Sequence, residues 1–267
     1  MENIIYTTKP EIDKIPGGWE SSFFPFLREV HKGEIGVESG PKNYGRAHIF
    51  KNLFTERECD EMVRMFMQSP NFEDVSIQGR KDVPDDRVGS IRTTVWNTGL
   101  AEEMWYKKFS NILFNRSVFS STTPTDWWQG DKSRRIWYTH GISPMMRFMK
   151  YEKSGQHYAH YDAGYIYPDD NFRTLYSFVL YLTTSKNGGA TRFIQDNQSH
   201  LNVWERNHED WIREAREDEV VFKSEAVKGN VLIFPHRYCH DVEQYLGDEP
   251  RIIIRGDIIF KANNENY

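Results

Sequence analysis

His240-Asp-Val-Glu-Gln-Tyr-Leu-Gly-Asp-Glu-Pro-Arg251-Ile-Ile-Ile-Arg255-Gly-Asp-Ile-Ile-Phe260 is the stretch whose reading decides the fold. It reads as a strand, a loop, and a second strand rich in β-branched residues. Side chains alternate along a strand, so Arg251, Ile253, Arg255 and Asp257 share one face. Guanidinium groups on an inward face are costly unless an anion meets them. Upstream the strand pattern repeats at Met145 to Tyr151, Leu175 to Thr183, Ala190 to Ile194, Val220 to Phe222 and Val231 to Phe234. From about residue 143 to 262 the chain is therefore strand-dominated, and many strands with long connections fit a jelly roll closed from two sheets.

Within this region His160-Tyr161-Asp162 is followed about eighty residues later by His240. In an extended chain His160 and Asp162 point to one side and Tyr161 to the other. Two imidazoles and one carboxylate are the set that holds a non-haem Fe(II) by one face, leaving the opposite positions open. With 9 histidines in the chain, His-x-Asp alone is weak, and its surroundings decide. His236 and His240 lie four apart, as in a helical zinc pair. Phe234-Pro235 before them and Val242 after them read as strand, which disfavours that pairing. His157 reads as a cavity-wall or hydrogen-bonded residue, and His200 and His208 as solvent-facing. Cys239 would point away from His240 and reads as packing.

The flanks are of a different kind. Residues 1–45 are polar, broken by Pro16-Gly17-Gly18, with Trp19, Phe23, Phe24 and Phe26 clustered, and read as an irregular arm. In the 46–140 flank, Thr55-Glu-Arg-Glu58 is a capping box that opens a helix with Met62, Met65 and Phe66 on one stripe. A second helix starts near Thr98 or Gly99 and carries Met104, Trp105, Phe109, Ile112 and Leu113 at helical spacing. Arg87 to Trp96 alternates like a strand. Residues 195–219 form a polar insertion in the 143–262 core, with Trp204, Trp211 and Ile212 in an expected short helix at the cavity rim. Trp127-Trp128 and Trp137-Tyr138 read first as core or flank contacts, and Lys132, Arg134 and Arg135 as a solvated face. Residues 263–267 are a tail.

Composition agrees with one sizeable domain: 267 residues, 38% hydrophobic and 15% aromatic, so the core leans on Phe, Tyr and Trp. No apolar run approaches the length of a membrane span, and the start lacks a basic region followed by an apolar stretch. Two cysteines make no disulfide framework, and a reducing cytoplasm is the default. A net charge of -5 argues against indiscriminate nucleic-acid binding.

Around the His-x-Asp the chain runs Met149-Lys150-Tyr151, Gly155-Gln156, His160-Tyr-Asp162, Tyr181-Leu182, Gly188-Gly189-Ala-Thr191-Arg-Phe193, Gly229-Asn-Val-Leu-Ile-Phe234, His240 and Arg251. This ordered series resembles the Fe(II)/2-oxoglutarate-dependent dioxygenases, most closely the prolyl 4-hydroxylase-like branch. There Tyr, Gly-Gln, His-x-Asp, Tyr-Leu, Gly-Gly-x-x-Phe, Gly-x-x-x-x-Phe, His and a basic residue follow in that order. Ile49-Phe-Lys-Asn-Leu-Phe-Thr55-Glu-Arg-Glu58 resembles the family's opening strand and helix, so the likeness covers roughly residues 47 to 262.

The resemblance implies an α+β fold with a double-stranded β-helix core (jelly-roll, cupin-like) and flanking N-terminal helices. It implies an iron site of His160, Asp162 and His240. Arg251 takes the place of the basic residue that anchors 2-oxoglutarate, with Arg255 as competitor, and Tyr151 that of a tyrosine helping to hold it. Thr191 could donate to the same carboxylate; Tyr158 and Tyr181 read as wall and core. The implied reaction consumes 2-oxoglutarate and O2, releases succinate and CO2, and hydroxylates a C–H bond; ascorbate is a further cofactor the likeness allows. A carboxylate at Asp162 disfavours halogenation. The substrate is left as a prolyl or other amino-acid residue of a peptide or protein, or a small molecule. Two other classes stay open: a cupin-like metal enzyme without 2-oxoglutarate, and a non-catalytic metal-binding or sensing module.

Overall fold

Arg251–Ala262 is the strand around which the rest is arranged. The structure is a computed structural model describing residues 35–68, 73–74, 87–114, 121–122, 135–168, 171–198, 200–201 and 213–262. In chain order its strands are β1 (Val37–Ser39), β2 (His48–Phe50), β3 (Glu73–Asp74), β4 (Arg87–Trp96), β5 (Ser121–Thr122), β6 (Trp137–Ile142) and β7 (Met145–His160). They continue with β8 (Phe172–Tyr181), β9 (Thr191–Ile194), β10 (Val220–Ser224), β11 (Val231–Pro235), β12 (His240–Val242) and β13 (Arg251–Ala262). All the pairings are antiparallel.

One layer runs β1-β2-β11-β8-β13-β7, with β4 added on β7. The other is β7-β12-β9-β10. β7 serves both: Arg147 to Tyr151 pair with β13, whereas His157 and His160 pair with β12. Sixteen residues are enough to bend from one sheet into the other, and Ser154, at φ 70, lies between the two paired halves. The result is the double-stranded β-helix expected from the strand pattern. β1 lies inside the stretch expected to be an irregular arm, yet it extends the first sheet through β2.

β13 alternates as its sequence requires. Ile252, Ile254, Ile258 and Phe260 face an outer core shared with the helices, while Ile253 faces the barrel interior with Met149, Tyr151, Val179, Tyr181, Phe193 and Phe234. The register with β8 shifts between Ile258 and Ile259, but the alternation continues to Phe260. The outer core explains the helices. α1 (Glu56–Met67) opens at the Thr55–Glu58 capping box and buries Cys59, Met62 and Phe66. Phe66 stacks on Phe148 with ring centres 5.2 Å apart, and its truncation would cost about 3–5 kcal/mol.

The second helix is capped by Asn97, whose side chain accepts from the Leu100 amide. It runs as α2 (Thr98–Met104), a π turn (Trp105–Phe109) and α3 (Ser110–Phe114). The apolar stripe read from sequence is buried: Met104, Trp105, Phe109, Ile112 and Leu113. Lys108 is buried with it, because its ammonium meets the Glu58 carboxylate at 2.8 Å. Among the described residues no helix is long and apolar enough to cross a membrane. Trp19, Phe23, Phe24, Phe26, Trp127, Trp128, Lys132, Arg134, Trp204, His208, Trp211 and Ile212 lie outside the described residues. The expected helix of the insertion therefore cannot be placed, although Glu217–Glu219 form a short 3-10 turn before β10.

Candidate metal centre

His160 ends β7 and His240 opens β12, and the two are direct partners across that ladder. Their rings lie 4.3 Å apart. One ligand atom each from His160, Asp162 and His240 falls within 4.8 Å of the others. Asp162 arrives differently from the expectation of a shared strand. β7 ends at His160, and the Asp162 amide instead donates to the His236 carbonyl at 3.2 Å. The carboxylate still reaches the histidines, with Oδ2 3.7 Å from His240 Nε2.

Each imidazole is oriented by the chain just before it. His160 Nδ1 lies 2.7 Å from the Tyr158 carbonyl and His240 Nδ1 2.8 Å from that of Tyr238. A carbonyl only accepts, so Nδ1 carries the proton and Nε2 keeps its lone pair for a metal. Burial holds His160 well below the usual histidine range, with the His157 and His240 charges adding to it; burial also lowers His240. Both rings are thus neutral near neutral pH, the form that ligates. His157 stacks on His160 with ring centres 3.7 Å apart.

Burial by itself would raise the Asp162 carboxyl, but Arg255, then His240 and His160, hold it well below the usual carboxylate range. Arg255 Nη2 is 3.0 Å from Asp162 Oδ1 and 3.0 Å from Asp257 Oδ1. Ser177 Oγ donates to Asp162 Oδ2 and lies 3.2 Å from Arg255 Nη2. Asp257 is also met by Arg147 at 3.3 Å and His236 at 3.2 Å. His236 faces the Asp257 carboxylate from a turn, and His240 opens a strand, so the two do not form the helical pair considered for zinc.

Arg251 is a different case. It is 1% exposed, and Nε, Nη1 and Nη2 have no hydrogen-bond partner. Its guanidinium carbon stands 4.7 Å from the Tyr151 ring centre and 5.8 Å from that of Tyr181. Nearby, the Tyr181 hydroxyl lies 2.9 Å from Thr191 Oγ1 and 3.1 Å from Ser224 Oγ, while the Tyr151 hydroxyl faces Met149 Sδ at 3.9 Å. The Gly188-Gly189 pair accounts for the shape of the cage. Gly189, at φ +75, would put a side chain 2.8 Å from Arg251 Cδ, and Gly188, at φ +71, would meet the Gln244 carbonyl at 2.1 Å. A buried, unpaired guanidinium in an aromatic and hydroxyl cage fits a carboxylate.

Arg251 and Arg255 thus share a strand face but not a situation: one lacks any polar partner and the other is ion-paired with two aspartates. Alternation along β13 identified both arginines. It did not identify Ser177 or the part played by Asp257, since neither lies in a recognisable motif; for Asp257 the signal was its place two residues after Arg255. Cys239 packs with Ala159, Ile194 and Ala215, away from His240 as expected.

A family model described as 2OG-Fe(II) oxygenase superfamily matches residues 146–256. No curated protein sequence matches the chain. Among solved structures, a prolyl hydroxylase from Trichoplax adhaerens, in complex with a hypoxia inducible factor oxygen degradation domain peptide fragment, is similar at a TM-score of 0.50. The two are 15% identical, and the match covers 81% of this chain and 84% of that one. The viral collagen prolyl hydroxylase of Paramecium Bursaria Chlorella virus-1, in its 2OG complex, is 13% identical over 83% of this chain and 99% of that one, at a TM-score of 0.47. At 15% identity the likeness to the Trichoplax adhaerens structure is one of fold.

Proposed function

We propose that this chain is a 2OG-Fe(II) oxygenase, on the match over residues 146–256, in which His160, Asp162 and His240 hold the ferrous ion. In the same reading Arg251, with Tyr151 beside it, takes the far carboxylate of 2-oxoglutarate. The observation that carries the reading is Arg251: a guanidinium buried without a partner against the Tyr151 and Tyr181 rings, on the β13 face that also carries Arg255, the partner of Asp162. A buried unpaired charge is destabilising, and a dicarboxylate co-substrate is the group that would offset it. A metal enzyme without 2-oxoglutarate has no use for such a cage, and a passive binding module has none for the pair.

Iron and 2-oxoglutarate together supply the oxidising power for attack on an unactivated C–H, with succinate and CO2 as by-products. What the chain contributes is position. Tyr158 and Tyr238 carbonyls fix the imidazoles, Arg251 fixes one end of the co-substrate, and the Met149, Val179, Phe193 and Phe234 side chains make the interior dry. We infer hydroxylation of an amino-acid residue, prolyl first, because the ordered motifs resemble the prolyl 4-hydroxylase-like branch and a prolyl hydroxylase is among the structures similar in fold.

Anaerobic addition of Fe(II) and 2-oxoglutarate, followed by O2, tests this directly. A visible charge-transfer band that gives way to succinate supports the reading, and full activity in His240→Ala would sink the ligand assignment. Screening prolyl peptides, other peptides and free amino acids for gain of one oxygen atom by mass addresses the substrate.

A further inference from the structure

We propose that Arg255 is a positioning residue that sets the orientation of the carboxylate ligand Asp162. The inference rests on the assignment of His160, Asp162 and His240 as the metal ligands. Each histidine is oriented by a backbone carbonyl two residues before it. Asp162 has no comparable support: it lies beyond the end of β7, with one main-chain hydrogen bond to His236. Its carboxylate is placed by side chains alone, Arg255 at Oδ1 and Ser177 at Oδ2.

Arg255 can do this because it is itself fixed. Its Nη2 is shared among Asp162, Asp257 and Ser177, all within 3.2 Å. Asp257 is held in turn by Arg147 and His236. The side chains of Asp162 and Asp257 are 12% and 2% exposed, so Arg255 also separates two carboxylates that would otherwise repel at close range. With Oδ1 on Arg255, the oxygen that faces His240 Nε2 is Oδ2. Removing Arg255 lets the carboxylate turn or take up a proton, and the third ligand is lost.

Co(II), a stable stand-in for Fe(II), tests this when titrated into the whole protein without 2-oxoglutarate and without turnover. Arg255→Met is expected to weaken Co(II) binding by about 10- to 100-fold, the usual effect of losing a group that orients a ligand. Its ligand-field spectrum should move toward that of Asp162→Ala. The three short contacts all use Nη2, so a single lysine ammonium can replace them, and Arg255→Lys should recover most of the affinity and the native spectrum. The charge-balanced pair Arg255→Met with Asp257→Asn removes the risk that an under-compensated buried Asp257 unfolds the core, and it should bind Co(II) as weakly as the single variant. Native affinity and spectrum in either Met variant would overturn the proposal. Unchanged Co(II) binding in Asp162→Ala would instead overturn the metal site on which it stands.

Discussion

Arg251 and Tyr151 face each other across the β13–β7 ladder, and the guanidinium carbon stands 4.7 Å from the centre of the tyrosine ring. The ring offers its negative face to the cation, but it accepts none of the in-plane N–H donors, which stay unpaired. The fold therefore bears the cost of a buried charge that no hydrogen bond within the protein offsets.

Two opposite effects of Arg251→Met follow. Charge-assisted hydrogen bonds contribute about 1.5–3 kcal/mol each, and about 1.4 kcal/mol is a factor of ten. Loss of two should weaken 2-oxoglutarate binding by about 100-fold or more, read by anaerobic calorimetry on the metal-loaded protein. The same change removes an unsatisfied buried group, so the ligand-free protein should gain about 1–3 kcal/mol, seen as a rise in Tm. Arg255→Ala should not raise Tm, and with metal loaded it should weaken 2-oxoglutarate binding far less. A lower Tm for Arg251→Met, with 2-oxoglutarate affinity intact, would mean that the cage is ordinary core.

Gly189→Ala probes the same cage from its other wall. The new methyl would sit 2.8 Å from Arg251 Cδ and 3.2 Å from the Tyr245 ring, on a backbone at φ +75. The conformational cost alone is about 1–2 kcal/mol, and relief of the clash pushes Arg251 out of line. Weaker 2-oxoglutarate binding with unchanged Co(II) affinity is the expected pair of results. Loss of Co(II) binding as well would show that the Gly-Gly turn shapes the metal centre too.

The sequence made much of this legible because its signals are local. Alternation on β13 put Arg251 and Arg255 on one face, and Thr55–Glu58 announced the start of α1. Those features need only one strand or one turn. Which arginine is paired depends on Asp162, Ser177 and Asp257, brought together from three separate elements, and no local period encodes that. Asp162 shows the limit most clearly. Its spacing from His160 suggested a strand, but the ladder stops at His160, and the carboxylate reaches its place through Arg255 and Ser177. Lys108 is similar: on an apolar helix stripe it reads as a misfit until Glu58 is seen beside it.

Acid should destabilise the metal-free protein early. Burial lowers the folded-state values of His160 and His240, whereas in the unfolded chain both titrate near 6.5. Below that pH the unfolded state binds more protons than the folded one, so stability falls as pH falls. Each of the two contributes about 1.4 kcal/mol per pH unit until its own folded-state value is passed. Asp162 and Asp257, held low chiefly by Arg255 against the effect of burial, keep their contribution until the pH falls below the usual carboxylate range. Urea melts between pH 7 and pH 5 should show this slope, and His160→Gln should make it shallower. A flat profile over that interval would contradict the buried neutral pair.

The ion pair behind His240 gives the sharpest stability forecast. Arg192 and Asp241 are direct partners on the β9–β12 ladder, joined by two hydrogen bonds of 2.9 and 2.6 Å, with side chains 2% and 1% exposed. Glu217 and Glu214, also near Arg192, are 86% and 51% exposed at their side chains and are poor substitutes. Asp241→Ala leaves a buried guanidinium almost uncompensated, a loss of about 3–5 kcal/mol. Arg192→Met with Asp241→Leu removes both charges and should recover most of it, because two desolvation costs vanish along with the attraction. Since Asp241 follows His240 on a three-residue strand, the single variant should also weaken Co(II) binding, and the double variant should restore it. Full stability in Asp241→Ala would show that the pair adds nothing to the β9–β12 contact.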